Sequence, residues 1–237
     1  MINYILRTIL EAVVAVASIK LIMHFKENIW GNKKEVGMAV LGIDQSGKTT
    51  WYDYLCKTNR NEKGTTKDDI DAFTLKFDDG KKVHIKDGID IGGGGVNISP
   101  YYENMINEND VILFFFNAKK YIEETEYMRE CNARLDFINN KIKIYNLYNS
   151  YNDTSDIITD IITGITNNKR CESKKIYIIM TFADQLKDRT KAYKQAYELL
   201  KSRPYIKEMT DNFVLINMTD EQEKKELKEK MFGEYKK

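Results

Sequence analysis

Gly42-Ile43-Asp44-Gln45-Ser46-Gly47-Lys48-Thr49 constrains what this chain can fold into more than any other stretch. It satisfies G-x-x-x-x-G-K-[ST], with an apolar, strand-like run (Val36 to Leu41) before it and a helix-compatible segment (Thr50 to Thr58) after it. Glycines let successive backbone N–H groups turn inward around a polyphosphate. A lysine supplies a cation for the β and γ phosphates, and the following hydroxyl can ligate Mg²⁺. Gly42, Asp44, Gln45, Ser46, Gly47, Lys48, Thr49 and Thr50 are therefore expected to hold a nucleoside triphosphate, with Thr49 on the metal. Strand and helix in place on both sides set the motif apart from an ordinary turn with a surface lysine.

Length and charge leave room for little else. A chain of 237 residues suits one α/β domain with attachments. Lysine plus arginine (37) nearly balances aspartate plus glutamate (36), so no global field points to nucleic acid. Cys56, Cys131 and Cys171 are far apart and odd in number, as reduced thiols of a cytosolic domain would be. With only His24 and His84, a histidine-based metal centre or triad has almost no material.

Residues 8 to 25 form the most apolar stretch, and about 18 residues just suffice to cross a bilayer as a helix. Glu11 and Lys20 lie off-centre, where ionised groups cost less, and they fall on opposite sides at about 100° per residue, which argues against a surface-lying helix. Arg7 precedes the stretch, whereas Lys26, Lys33 and Lys34 follow it, so a spanning helix would leave the triphosphate site in the cytoplasm. A helix packed on the domain or on a partner, and a cleaved signal peptide at Ala15-Val16-Ala17, are the competing readings. The expected organisation is an apolar N-terminal helix over residues 1–30, serving as membrane anchor, and a domain over residues 31–237.

Within that domain, the spacing predicts a strand at Val36 to Leu41 and a helix from Lys48 to Thr58. A loop from Asn59 to Asp71 precedes a hairpin of Phe73 to Phe77 with Lys82 to Lys86, turned by Asp78-Asp79-Gly80. A polar segment carrying Tyr101 and Tyr102 leads to the continuous apolar run from Asp110 to Asn117, typical of a buried parallel strand. Lys119 to Asn149 has helical composition. Ile176 to Thr181 and Phe213 to Asn217 read as further strands, with helices at Arg189 to Leu200 and Asp220 to Tyr235, the last capped by Asp220. Strands alternating with helices after one early hairpin mean a mostly parallel sheet covered on both faces.

A triphosphate switch must sense the γ phosphate. Asp90-x-x-Gly93, directly after a strand and about forty residues beyond the phosphate loop, suits that role, since Asp90 can hold Mg²⁺ through water and the Gly93 N–H can meet the γ phosphate. Lys48 and Gly93 are thus the groups expected to act at the transferring phosphate.

With both motifs in view, the chain resembles the Ras-like small GTPases, and among them the Arf, Sar and signal-recognition-particle-receptor β group. The residues responsible are Gly42-Ile-Asp-Gln-Ser-Gly-Lys-Thr-Thr50, close to that group's G-L-D-x-A-G-K-T-T, and Asp90-Ile-Gly-Gly93, close to its D-V-G-G-Q. The resemblance covers about residues 36 to 220. It implies a P-loop, Ras-like α/β fold with a mostly parallel six-stranded sheet, helices on both faces, and GTP/GDP with Mg²⁺ as ligands. It also implies a switch threonine on the metal, for which Thr65 and Thr66 are the candidates and Thr66 is preferred. The family reads guanine with N-K-x-D, where this chain has Thr181-Phe182-Ala183-Asp184. Asp184 keeps the carboxylate that accepts from guanine N1 and N2, while Thr181 and Phe182 replace the asparagine and lysine. The family's last motif would fall at Asn217-Met218-Thr219, making Met218 and Thr219 base-contacting positions.

Two departures shape the expected mechanism. Gly94 stands where the family has the glutamine that orients the attacking water, so intrinsic hydrolysis should be very slow. The stretch between Asn117 and Ile176 exceeds one crossover helix, which places an insert at about 140–174, including Tyr145, Tyr148 and Tyr151, that packs on its own domain or forms a partner surface. Ile2 excludes the lipidation that follows an initiator methionine and glycine. The resulting expectation is a membrane-associated small GTPase on the cytoplasmic face, or else soluble in the cytoplasm, working as a switch with an unidentified effector or activating protein. A non-hydrolysing GTP-binding scaffold and a P-loop ATPase of another class are the alternatives.

Overall fold

The computed structural model describes residues 35–58, 67–92, 99–143, 174–201, 203 and 212–237. The chain divides into two units, Met1–Glu35 and Val36–Lys237. The expected N-terminal anchor, Thr65 and Thr66, Gly93 and Gly94, and the insert from residue 144 to 173 lie outside the described residues. Among the described residues no helix is long and apolar enough to cross a membrane.

The elements in chain order are β1 (Glu35–Val36), β2 (Met38–Gly42), α1 (Lys48–Cys56), β3 (Lys67–Ile70), β4 (Phe73–Lys76), β5 (Lys82–Ile85), β6 (Gly88–Ile91), α2 (Ser99–Glu108), β7 (Val111–Asn117), α3 (Ala118–Glu123), a helix α4 over 125–143, β8 (Lys175–Thr181), α5 (Arg189–Leu200), β9 (Phe213–Leu215) and α6 (Glu221–Phe232). Short 3₁₀ turns cover Ala183–Gln185 and Gly233–Tyr235.

The centre is a parallel sheet in the order β2-β7-β8-β9, in which Gly42 faces Phe115 and Asn117 faces Thr181. Every residue of β7 is buried, because successive side chains serve two cores. Ile112, Phe114 and Phe116 join one core with Tyr102, Met105 and Ile106 of α2, Leu135 and Ile138 of α4, and Leu200 of α5. Val111, Leu113 and Phe115 join the other with Trp51 and Leu55 of α1, and Leu227 and Met231 of α6. Helices therefore cover both faces, as the alternation of strands and helices requires.

The structure corrects the sequence reading at several places. The first strand is interrupted at Gly37, whose N–H is taken by the Asp110 carboxylate at 2.8 Å. Lys67–Ile70, read as loop, is a strand paired with Gly88–Ile91. Its Lys-Asp-Asp-Ile sequence has no apolar alternation, so nothing local announced it. The hairpin is thus two antiparallel ladders, and continuing the register of one through two residues on each strand reaches the other. Asp71-Ala72 and Lys86-Asp87 fill that gap, where Lys86 N donates instead to Val36 O at 3.1 Å. Among the described residues the backbone ladders consequently form three separate sheets, not a single one of six strands. Asp90 lies within β6 and not after a strand. The polar segment around Tyr101 and Tyr102 is the helix α2, which buries Tyr102, Met105 and Ile106 at helical spacing. The long helix expected from Lys119 breaks at Glu124, whose extended backbone ends α3.

Candidate functional site

The site is built at the C-terminal end of β2. Gly42 has φ of 145°, and a Cβ there would stand 2.1 Å from Phe115 O, so the strand leaves the sheet through a residue without a side chain. Gln45 (φ 55°) and Gly47 (φ 89°) are left-handed, and Gly47 opens α1 with no side-chain cap. This curls the loop Gly42 to Gly47 over the N-terminus of α1, whose first N–H groups remain available to an anion. Asp44, Gln45 and Thr50 are exposed on its outer side.

Lys48 is nearly buried, its Nζ donating to Ile43 O at 2.7 Å and Gly42 O at 3.3 Å. Burial lowers its pKa from 10.5 to about 8; the Asp90 and Asp44 carboxylates oppose that shift, and the Arg134 guanidinium reinforces it. Among the described residues this ammonium is held on backbone carbonyls with no direct contact to an anion, so its desolvation is only partly compensated. Beside it the Thr49 hydroxyl donates to Asp90 Oδ2 at 2.9 Å. A hydroxyl and a buried carboxylate from two elements thus meet next to the lysine, an all-oxygen donor set suited to a hard divalent cation. These groups fit a polyphosphate with its metal.

Two of the expected site residues hold the loop from behind. Thr181, at the end of β8, is wholly buried, and its hydroxyl lies 3.0 Å from both Ser46 O and Phe116 O. Its side chain is thus engaged by the loop and by β7. Met218 is buried, with Cγ 3.5 Å from a Cβ placed on Gly47, so the turn after β9 backs the same loop. Ser46 Oγ is buried without a hydrogen-bond partner among the described residues.

The expected base-reading segments lie side by side. Phe182 is left-handed (φ 61°), an uncommon state for an aromatic residue, and half-buried. Asp184 is exposed in the following 3₁₀ turn, and Ala183 N donates to Ile216 O at 3.3 Å. Thr219 is exposed, with its N–H and hydroxyl both bonded to Asn217 Oδ1.

Sequence reasoning missed four further groups. Tyr102 of α2 accepts from Gly42 N at 3.0 Å and donates to Gly42 O at 3.1 Å. Arg134 of α4 donates to the same Gly42 O at 3.1 Å and to Tyr102 OH at 3.2 Å, with Glu130 on its other nitrogen. Glu223 accepts from Asn217 N at 2.8 Å and pairs with Arg189 through two bonds of 2.7 Å. Tyr102 belongs to the polar segment noted in the sequence, but nothing there distinguishes Arg134, Arg189 or Glu223 from other charged helix residues.

No protein-family model matches this sequence, and no curated protein matches it. Solved structures do. A bacterial selenocysteine-specific elongation factor, EF-Sec, aligns with a TM-score of 0.52 and 15% identity over 84% of this chain. The chain spans only 29% of that protein's length. A probable GTP-binding protein, engB, aligns with a TM-score of 0.45 and 14% identity over 83% of this chain and 97% of its own. The likeness to EF-Sec is one of fold alone: an α/β domain with a parallel sheet and helices.

Proposed function

We propose that this chain is a membrane-associated, Arf-like small GTPase that binds GTP and GDP with Mg²⁺ and turns GTP over slowly. The observation that carries the nucleotide reading is the convergence of Lys48, Thr49 and Asp90 at the mouth of the left-handed loop. In this reading the loop N–H groups and Lys48 hold the β and γ phosphates, and Thr49, Asp90 and Thr66 serve the metal. The metal neutralises developing phosphate charge when bound. Asp184 reads guanine, flanked by Phe182 and by the Met218-Thr219 turn. The fold shared with EF-Sec agrees with this assignment.

The test is affinity of the full chain for GTP, GDP and ATP with Mg²⁺, with single-turnover hydrolysis followed in the same samples. Tight guanine binding that is lost in Asp184→Asn supports the reading. Preference for ATP, or indifference to that substitution, overturns the guanine assignment.

A second reading, a GTP-binding scaffold that does not hydrolyse, is favoured by Gly94 in place of the water-orienting glutamine. A hydrolysis rate indistinguishable from that of free GTP would select it. The apolar stretch at residues 8 to 25 is the proposed anchor, holding the domain at the cytoplasmic face beside its effector. Release from membranes by alkaline extraction would exclude a spanning helix.

A further inference from the structure

The Gly42 carbonyl gathers more donors than it can satisfy. Lys48 Nζ, Tyr102 OH and Arg134 Nη1 all reach it, at 3.3, 3.1 and 3.1 Å, whereas a carbonyl oxygen offers two lone pairs. Two of the three donors are cations, and both are nearly buried, with Arg134 9% and Lys48 6% exposed. Side by side they repel each other, which is one cause of the low Lys48 pKa.

Asp90 accepts from Thr49, Asp44 is exposed and accepts from Gln45 N, and Glu130 meets Arg134 at Nη2, from a side chain that is half exposed. Nη1, the nitrogen on the loop side, donates to a carbonyl and a hydroxyl. Lys48 also holds Ile43 O at 2.7 Å and Arg134 also holds Glu130, yet both reach the Gly42 carbonyl, so an anion arriving beside it would meet two positive groups at once. A guanidinium also suits a phosphate better than an ammonium does, because its donors are fixed in a planar fork.

We propose that Arg134 is a second cation of the γ-phosphate site, transferring Nη1 from the Gly42 carbonyl to a terminal phosphate oxygen when a triphosphate is bound. The proposal rests on the triphosphate reading of the loop. It gives this chain a γ-phosphate contact from α4, independent of the position held by Gly94. Tyr102 is by contrast a positioning residue, since it joins α2 to Gly42 and carries no charge.

The test compares the affinities of the full chain for GDP and for the non-hydrolysable analogue GMPPNP, both with Mg²⁺. In Arg134→Gln, GMPPNP affinity should fall about 10- to 100-fold, the range of a charge-assisted bond, while GDP affinity changes little. Arg134→Lys should recover part of the difference. Tyr102→Phe should weaken both ligands by the same factor. Equal losses for GDP and GMPPNP in Arg134→Gln, or no loss for either, would overturn the proposal and leave Arg134 as a loop support. If Arg134→Gln does not fold, arginine side-chain ¹⁵N spectra decide: the wild-type signal missing in Arg134→Lys must move between the GDP and GMPPNP complexes, and an unmoved signal overturns the assignment. A wild-type chain that binds neither nucleotide would instead overturn the triphosphate reading, and this proposal with it.

Discussion

Thr49 and Asp90, 41 residues apart in the chain, meet side chain to side chain at 2.9 Å. One stands in the first turn of α1, the other on β6, and Tyr52 of α1 binds the neighbouring Ile89 carbonyl at 3.4 Å. The two oxygens are therefore set by a strand and a helix, the rigid arrangement a hard cation site needs. Asp90→Ala should lower the Mg²⁺ affinity of the nucleotide complex about 10- to 100-fold, as loss of an outer-sphere carboxylate does elsewhere. Titration of Mg²⁺ into the metal-free nucleotide complex checks this; an unchanged midpoint would remove Asp90 from the metal site.

The burial of Lys48 gives the site a pH signature. Its pKa of about 8 lies below the ordinary 10.5, so the folded chain sheds this proton first on raising the pH. Between pH 8 and 10.5 the unfolded chain binds more protons, and this group's contribution to stability rises with pH, by about 3 kcal/mol over the window. Below pH 8 the penalty for the buried charge is present in full. Bound phosphates favour the charged form, so nucleotide affinity should run the opposite way and fall as the pH climbs above 8. Melting temperatures of the ligand-free wild type and Lys48→Met across pH 7 to 11 isolate the effect, since only the wild type carries this slope.

How much of this could be read beforehand differs from element to element. The phosphate loop was legible because its chemistry is local: Gly42, Gly47, Lys48 and Thr49 act within one turn of chain. β7 and β8 were legible because burial on both faces leaves an unbroken apolar run. Lys67–Ile70 was not, since its strand character comes from pairing with β6 and from no pattern of its own. Nor was the role of Tyr102 and Arg134. Their functional atoms meet Gly42 only after α2 and α4 pack on the same side of the sheet, 60 and 92 residues away in sequence. Thr181 shows a subtler limit: its place in the motif did not reveal that its hydroxyl is engaged by Ser46 O and Phe116 O, the latter 65 residues away in sequence.

That engagement makes Thr181 a sensitive position. Thr181→Val keeps the shape and removes the donor, leaving two carbonyls in a buried site with one partner fewer. The loss should be about 1–3 kcal/mol, or several degrees in Tm. Nucleotide affinity should decline with it, because Ser46 belongs to the phosphate loop. Thr181→Asn, which keeps a donor, should lose less of both. Thermal unfolding and nucleotide titration of the two variants measure this directly.

Gly42 admits no side chain for two independent reasons: its φ of 145° and the Phe115 carbonyl, 2.1 Å from where a Cβ would stand. Relief would need β2 to move away from β7, to which Gly42 is paired. Gly42→Ala should therefore cost about 4 kcal/mol or more, a large part of the stability of an ordinary domain. Chemical denaturation should show a midpoint far below that of the wild type, or no folded baseline. A variant within about 1 kcal/mol of the wild type would mean the strand and loop can separate without loss.

Glu223 links the two segments proposed to read the base. One carboxylate oxygen accepts from Asn217 N in the turn after β9, and both accept from Arg189, which follows the Asp184 turn. The Arg189 hydrogen bonds hold the Glu223 pKa below its ordinary 4.5, partly opposed by burial. Its contribution to stability is present above pH 4.5 and is lost as the pH falls through that lowered value. The pair is partly exposed, so it stabilises the fold by about 1 kcal/mol at most; its main effect is geometric. Glu223→Ala also strips the Asn217 N–H of its acceptor, freeing the turn that carries Met218 and Thr219. Guanine preference over adenine should then shrink about tenfold, with affinity for inorganic triphosphate unchanged. Glu223→Gln, whose amide oxygen can still accept from Asn217 N, should keep most of that preference. Parallel titrations with GTP, ATP and triphosphate separate a disordered base site from a damaged phosphate loop, because only the latter would weaken all three.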